Sequence, residues 1–485
     1  MSVVIAIDAG TTGVRSRAVY SDGTLATASY REVTQYFPQP GWVEHDATEI
    51  WQAVLATLQD VVVQIDETIT AIGITNQRET VVAWNKQTGL PYGHAIVWQD
   101  RRTSDRCLEL AEYLPLVRKQ TGLVLDPYFS GTKIEWLLTN RDIPQDDDLC
   151  IATIDSWLIW NLTGGKSFVT DPSNASRTML FDINQMQWSQ ELCQILNVPK
   201  TILPEVRASS GRFGATIKHG SLPAGIAISG VAGDQQAALF GQACFAPGNT
   251  KNTYGTGSFV LMNVGTTCPS PKDGLLTTVA WQLGSQKPVY ALEGAIFVTG
   301  AAIQWLRDGL NIIDRASDIG PLAQSVSDSG GIVVVPAFTG LGSPWWDTYE
   351  RGSIFGITRG TSRAHIARAT IESIVYQTRD VVESMTSASG VTISDLRVDG
   401  GAAVMDFMLQ LQADHLAVDV LRPKELETTV MGVAYLAGLA QGVWDSTEDI
   451  SKAWQLDVTF SPKNDPVGYE TWQSAVKRSM NWSHV

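Results

Sequence analysis

The stretch VVIAIDAGTTGVRSRAVYSDG, Val3 to Gly23, sets the frame for the whole chain. Val3–Ile7 is an unbroken apolar run rich in β-branched residues, the pattern of a strand covered on both faces. A Gly/Thr turn follows, then a second strand pattern, GVRSRAVY, that closes at Asp22-Gly23. Gly10 lets the backbone bend sharply, and successive exposed N–H groups with the Thr11 and Thr12 hydroxyls make a cradle for an anion. Asp8, at the strand end, is placed to hold a Mg²⁺ that bridges phosphates. A related pattern returns in NTKNTYGTGSFVLMNVG, Asn249 to Gly265, as strand, turn and strand, with Gly255 and Thr256 in the turn. Taken singly, either turn reads as an ordinary hairpin. Two of them, one in each half, point to facing phosphate loops and to duplicated domains.

Between the turns the chain alternates strand and helix patterns, which implies an α/β sheet with helices against it. DATEIWQAVLATLQDVVVQI predicts an amphipathic helix with Ile50, Val54, Leu58, Val61 and Ile65 on one face. Asp46 and Glu49 predict a capping box at its start. AIGITNQ is a further buried strand. In the second half, helices are expected in TSRAHIARATIESIVYQTRDVVESM, FMLQLQADHL and TTVMGVAYLAGLAQG, with a strand in DLRVDGG. CFAPGN interrupts the pattern with Pro and Gly, which sets the domain boundary at 1–244 and 245–485.

At 485 residues, 44% hydrophobic and 18% charged, the chain is globular and too long for one core. The N-terminus enters a strand pattern at once and reads as neither a signal peptide nor a membrane span. Five scattered cysteines imply reduced thiols in the cytoplasm. A net charge of −15 argues against nucleic acid and anionic membranes as partners.

Three further stretches carry chemistry. TNQRET (Thr75 to Thr80) sets Arg78 beside Glu79, a donor fork next to an acceptor, as two adjacent hydroxyls of a ligand require; a solvated strand end is the alternative. Trp98 and Tyr128 could pack against the C–H faces of such a ligand. SGVAGDQQAALFG (Ser229 to Gly241) puts Asp234 at a strand–helix junction, either as a helix cap or as an acid that Ala232 and Gly233 leave open to a ligand. VDGGAA (Val398 to Ala403) would let a flat base or a phosphate approach Gly400 and Gly401. NLTGGKSF is not a phosphate loop, because Trp160 stands where the first glycine belongs; Gly164-Gly165 reads as a hairpin turn.

With these motifs in place, the chain resembles the FGGY carbohydrate kinases, and among them the glycerol kinases. YFSGTKIEWLLTN (Tyr128 to Asn140) and GSIFGITRGTSRAHIARATIE (Gly352 to Glu372) match the family's two signatures. GWVEHDATEIW, IVWQDRRT, NASRTMLF, AGDQQAALFGQ, KNTYGTGSF, ALEGAIF and VPAFTGLGSPWWD extend the likeness nearly end to end. The resemblance implies two actin-like, ribonuclease-H-like domains with ATP and substrate in the cleft between them, the first domain on the glycerol and metal side and the second on the nucleotide side. It implies ATP-dependent conversion of glycerol to sn-glycerol 3-phosphate in glycerol catabolism, by a homodimer or homotetramer. The glycerol contacts carried over are Arg78, Glu79, Trp98, Tyr128, Asp234, Gln235 and Phe259, with Asp234 as the catalytic base. The ATP contacts are Thr11, Thr12, Gly255, Thr256, Gly300, Gln304, Gly401 and Ala402; Asp8 and Asp234 serve Mg²⁺. The chain departs from the family pattern at Ala9, in a first loop read as two residues longer, and at Met405. Either Arg15 or Arg17 can fill the phosphate-facing arginine position. A kinase for another polyol or ketose, or a non-catalytic actin-like ATP-binding protein, is the alternative.

Overall fold

The two Gly/Thr turns occupy the same place in two mixed sheets. The computed structural model describes residues 2–347 and 349–482. Numbering only the strands of the two main sheets, the first sheet holds β1 (Val3–Ala9), β2 (Gly13–Tyr20), β3 (Leu25–Glu32), β4 (Ile69–Asn76), β5 (Ser210–Ala215) and β6 (Ala227–Gly233). The second holds β7 (Asn249–Tyr254), β8 (Ser258–Gly265), β9 (Leu276–Trp281), β10 (Val289–Ile296), β11 (Asp395–Asp399), β12 (Val420–Pro423) and β13 (Leu456–Phe460). Their spatial orders are β5-β6-β4-β1-β2-β3 and β9-β10-β8-β7-β11-β12-β13. Within them, β3-β2-β1-β4-β6 matches β10-β8-β7-β11-β12 strand for strand. In each set three strands form an antiparallel meander, and two more run parallel to its first strand. This is the duplicated arrangement expected of two actin-like domains.

β1 is apolar because both its faces are covered: Val3, Val4, Ile5, Ala6 and Ile7 are fully buried. Its pairing sets Asp8 opposite Arg15 and Ala9 opposite Val14. Only Gly10, Thr11 and Thr12 are left in the turn. Arg15 lies across from Asp8, and Arg17 two positions further from the turn.

Helix α1 (Ala47–Val62) buries Ile50, Val54, Leu58 and Val61 as the spacing predicts, while Ile65 lies past its end. Asp46 caps it by accepting from the Thr48 N–H at 2.8 Å. The capping box does not form: Glu49 instead accepts from the Thr34 N–H and hydroxyl at 2.9 and 2.8 Å, which ties the helix to the chain after β3. Gly164 and Gly165 form no hairpin. They take positive φ, 63° and 79°, just beyond the helix Ile154–Leu162.

The halves meet through two helices that follow equivalent strands. Helix α2 (Asp234–Gly241) leaves β6; α3 (Arg363–Ser389) and α4 (Asp406–Leu416) cover the second sheet; α5 (Thr428–Ala440) leaves β12. TTVMGVAYLAGLA is apolar all round, which marks a helix buried on every side. α5 packs on α2 and on β1, β4 and β6 of the first sheet. A Cβ on Gly241 would fall 1.9 Å from the Thr428 carbonyl oxygen, and one on Gly432 1.8 Å from that of Ala237. The loop Gln242–Gly248 leads from α2 into β7.

Candidate active site

The ends of β1, β4 and β6, with the start of α2, deliver side chains to the seam between the two sheets. At the end of β4 the chain turns tightly: the Thr80 N–H donates to the Arg78 carbonyl at 2.8 Å, and Glu79 takes φ 61°. A non-glycine residue held at positive φ stores strain of about 1–3 kcal/mol and is characteristic of functional sites. Ser130 holds the turn by donating to the Glu79 carbonyl at 3.1 Å.

Arg78 and Glu79 are 3% and 1% exposed, so the solvated strand end is excluded. Arg78 gives Nη1–H to Glu293 at 2.5 Å and to Gln236 at 3.2 Å, and Nη2–H to Glu293 at 3.0 Å and to the Tyr128 hydroxyl at 3.3 Å. Its Nε lies 3.2 Å from Asp234 Oδ1. The four N–H groups of its two terminal nitrogens are thus committed, and Nε makes an ion pair with Asp234. Arg177, fully buried, gives Nε–H to Glu79 at 2.6 Å and Nη2–H to Glu293 at 3.0 Å. Burial pushes the Glu293 carboxyl up, but Arg177 and Arg78 outweigh it and hold the group down at about 2. Burial also pushes Glu79 above the usual carboxylate range, against the pull of Arg78 and Arg177.

Asp234 does not cap its helix. Gly233 is the N-cap, and Asp234 is the first helical residue. Its Oδ1 accepts from the Gln235 N–H at 2.7 Å and faces Arg78; no described residue bonds Oδ2. A Cβ on Gly233 would lie 2.7 Å from the Arg78 Cγ and Cδ, so that glycine makes room for the stem of Arg78 and not for a ligand. Gln235 takes a hydrogen bond on Oε1 from the buried Lys251 Nζ of β7.

Trp98 links this cluster to the first turn. Its Nε1–H donates to Thr11 Oγ1 at 2.9 Å, and its ring meets Tyr128 edge-on at 5.5 Å. Asp8 closes the ring of groups. Burial and the charge of Asp234, eased by Arg15, push its carboxyl up to about 7. Arg15 in turn pairs with Glu427 at the start of α5. Phe259 is half-buried on β8, opposite Thr253 and Ala295.

On the other side of the seam, the carbonyls of Gly255 and Thr256 accept from the N–H groups of Thr299, Gly300 and Ala301 at 2.9 to 3.0 Å. The second turn is therefore fastened to the helix Gly300–Gln304, on which Gln304 is exposed. Gly400 has φ 87°, and a Cβ there would lie 2.5 Å from the Tyr254 carbonyl oxygen, so the VDGGAA loop rests on the same turn. Gly401 faces open space, with Ala402 after it. Met405 packs near Gly320, whose Cβ would lie 3.6 Å from the Met405 Cγ.

The structure thus brings Arg78, Glu79, Trp98, Tyr128, Asp234 and Gln235 to one place beside Asp8 and Thr11. It gathers Gly255, Thr256, Gly300 and Gly401 at another. A cavity of about 250 Å³ between Arg17, Leu25, Tyr435 and Trp454 shares no residue with either group. Glu293, Arg177 and Lys251 are the members that motif reading passed over, and Gln236 does more than serve its helix: it bridges Arg78 and Thr278. Lone charges in the apolar strand VYALEGAI and in SNASRTMLF were the signal that could have found the first two, because an unpaired charge is almost never fully buried.

Comparison with known proteins agrees with this geometry. The N-terminal domain model of the FGGY family of carbohydrate kinases matches residues 3–241, and the C-terminal domain model matches 250–441. The chain is 52% identical to glycerol kinase 2 of Thermotoga maritima, covering 99% of both chains. It is 51% identical to a glycerol kinase of Geobacillus kaustophilus, covering 98% of this chain and 99% of that one. Among solved structures, Plasmodium falciparum glycerol kinase with ADP superposes with a TM-score of 0.94 at 36% identity, over 99% of this chain and 98% of that one. A xylulose kinase of Rhodospirillum rubrum shares the fold, with a TM-score of 0.88 at 20% identity over 100% of each chain. With both domain models matched in order and more than half the residues shared with full-length relatives, the chain belongs to the FGGY family of carbohydrate kinases.

Proposed function

We propose that this kinase transfers the γ-phosphoryl group of ATP to glycerol, giving sn-glycerol 3-phosphate and ADP in glycerol catabolism. The observation that carries the reading is the polar cluster Arg78–Glu79–Trp98–Tyr128–Asp234–Gln235 at the seam of two phosphate-loop domains, in a chain 52% identical over 99% of its length to a glycerol kinase.

Glycerol binds among Arg78, Glu79, Trp98, Tyr128, Gln235 and Phe259. The apolar faces of Trp98 and Phe259 suit a short carbon chain, and the Glu79 carboxylate accepts from a hydroxyl. Arg78, with the donors of both terminal nitrogens committed, releases Tyr128 or Gln236 when a substrate oxygen arrives. Asp234 Oδ2 takes the proton of the attacking hydroxyl, while Oδ1 stays fixed by Arg78 and the Gln235 N–H. Such a positioned base contributes about 10²–10⁴-fold. The amides and hydroxyls of Thr11 and Thr12, and the turn at Gly255 and Thr256, cradle the phosphates; Gly300, Gln304, Gly401 and Ala402 hold the nucleoside end.

Asp8 and Asp234 fit a magnesium site. Asp234 adds to burial in holding the Asp8 carboxyl near 7, and a cation there would relieve both causes. Two carboxylates suffice, because Mg²⁺ keeps several waters and takes phosphate oxygens as well. When bound, the ion offsets charge on the transferring phosphoryl group.

The domains divide after Cys244. The chain assembles as a homodimer or homotetramer, which light scattering would measure. Five free thiols, four of them buried, suit the cytoplasm, and no described helix is long and apolar enough to cross a membrane. The test of function is ADP release with glycerol, erythritol, xylulose and ribulose as acceptors. The kcat/KM for glycerol is expected to exceed the others by at least about tenfold, since a site built for a substrate's hydroxyls discriminates strongly. Equal values for xylulose and glycerol would remove the assignment.

A further inference from the structure

Two charged residues of the second half reach across the seam into the polyol cluster. Glu293 lies on β10 and Lys251 on β7, and both are fully buried. Their partners, Arg78, Arg177 and Gln235, all come from the first half. We propose that Glu293 and Lys251 are positioning residues of the polyol site: Glu293 sets the plane of Arg78 and Lys251 sets the orientation of the Gln235 amide, so that the first domain's substrate groups are aligned by the second. The inference rests on the glycerol reading above.

Geometry carries the Glu293 half. Its two oxygens take both forks of Arg78, at 2.5 and 3.0 Å, and Oε1 also takes Arg177 at 3.0 Å. A fork paired with both carboxylate oxygens leaves the guanidinium one plane to occupy. In that plane Nε lies 3.2 Å from Asp234 Oδ1, an ion-pair contact, while no described residue bonds Oδ2. The same glutamate holds Arg177, and Arg177 holds Glu79 at 2.6 Å. One side chain therefore fixes the acid, the acceptor and the fork together. As a stability device the arrangement is poor, because well-packed apolar residues often match or exceed a buried Arg–Glu–Arg set. Orientation is what such residues could not supply.

Donor chemistry carries the Lys251 half. An ammonium has three donors and no acceptor. The Gln235 atom that meets Lys251 Nζ must therefore be the carbonyl oxygen, and the amide N–H₂ faces the other way. Lys251 is itself fixed by donating to Thr253 Oγ1 at 2.9 Å. Gln235 thus keeps its N–H donors for other partners, while Glu79 and Asp234 supply acceptors. A ligand that both accepts and donates at neighbouring oxygens, as adjacent hydroxyls do, matches that alternation.

The test is glycerol binding by calorimetry without nucleotide, together with KM for glycerol and for ATP. Glu293→Gln keeps the shape but removes the carboxylate shared by Arg78 and Arg177, leaving Arg78 to Asp234 and Arg177 to Glu79; it is expected to weaken glycerol at least about tenfold. Glu293→Asp, which keeps the charge, should recover part of that loss. Lys251→Met frees the Gln235 amide to flip and should weaken glycerol about fivefold. In both variants KM for ATP should stay within about twofold, because uniform loss of polyol binding leaves the nucleotide term alone. Asp380→Asn serves as the control. This buried carboxylate of the second half binds Tyr469 and Trp472 at 2.6 and 2.8 Å, and its loss should lower Tm without changing glycerol affinity. Glycerol affinity near wild type in Glu293→Gln and Lys251→Met would overturn the proposal whatever their Tm, and if the first does not fold the second decides. A wild-type chain that binds no glycerol would overturn the functional reading itself, and this inference with it.

Discussion

Asp8 lies next to last in β1, and its carboxyl is held up at about 7 by burial and then by the charge of Asp234, the first residue of α2, with Arg15 easing it. In the unfolded chain this group ionises near its ordinary 3.8, so ionised Asp8 costs the folded state stability above pH 7. That cost shrinks as pH falls from 7 and is gone below about 4. In EDTA at pH 8, Asp8→Asn should therefore raise Tm by roughly 1 °C for each kcal/mol relieved, with the gain fading toward pH 4.5. A lower Tm at pH 8 would contradict the electrostatic account. Glu79 stores a different cost, in its backbone at φ 61°, and the same few residues thus concentrate both backbone and electrostatic strain.

Helices α2 and α5 cross so closely that glycine is required at the contact. A methyl on Gly432 would meet the Ala237 carbonyl at 1.8 Å, and backbone has no rotamer with which to yield. Gly432→Ala should cost about 3 kcal/mol or more, at or beyond the upper end for overpacking; denaturant unfolding within about 0.5 kcal/mol of wild type would show that the helices separate freely. The apolar run of α5 could be read in the sequence, as could the Gly/Thr turns, α1 and its Asp46 cap, because each signal is local. What Glu49 does was not legible: its partner, Thr34, lies across a loop, so a motif of the right spacing closed a different contact. The length of the first turn was not legible either: only the pairing of Asp8 with Arg15 and of Ala9 with Val14 shows that it holds three residues. Glu293 and Arg78 stand 215 positions apart, and nothing local to either names the other.

At the scale of the molecule, a duplicated strand order places two Gly/Thr turns on opposite sides of one seam, while the charges that organise the polyol groups cross it. The duplication was visible as a pattern without sequence identity, since strand order is kept by the sheet and not by particular side chains. How α5 of the second half seals the first sheet was not visible, because an all-apolar helix does not say which sheet it covers. The account requires that the seam be catalytic and not only a nucleotide-binding hinge, and Asp234 separates the two. Asn at that position keeps the side chain's shape and an oxygen for the Gln235 N–H, but it cannot take the hydroxyl proton. The decisive measurement is kcat for glycerol-dependent ADP release by Asp234→Asn beside wild type. With Tm held, it should fall by at least about two decades; turnover close to wild type would leave the site without its base and contradict the account.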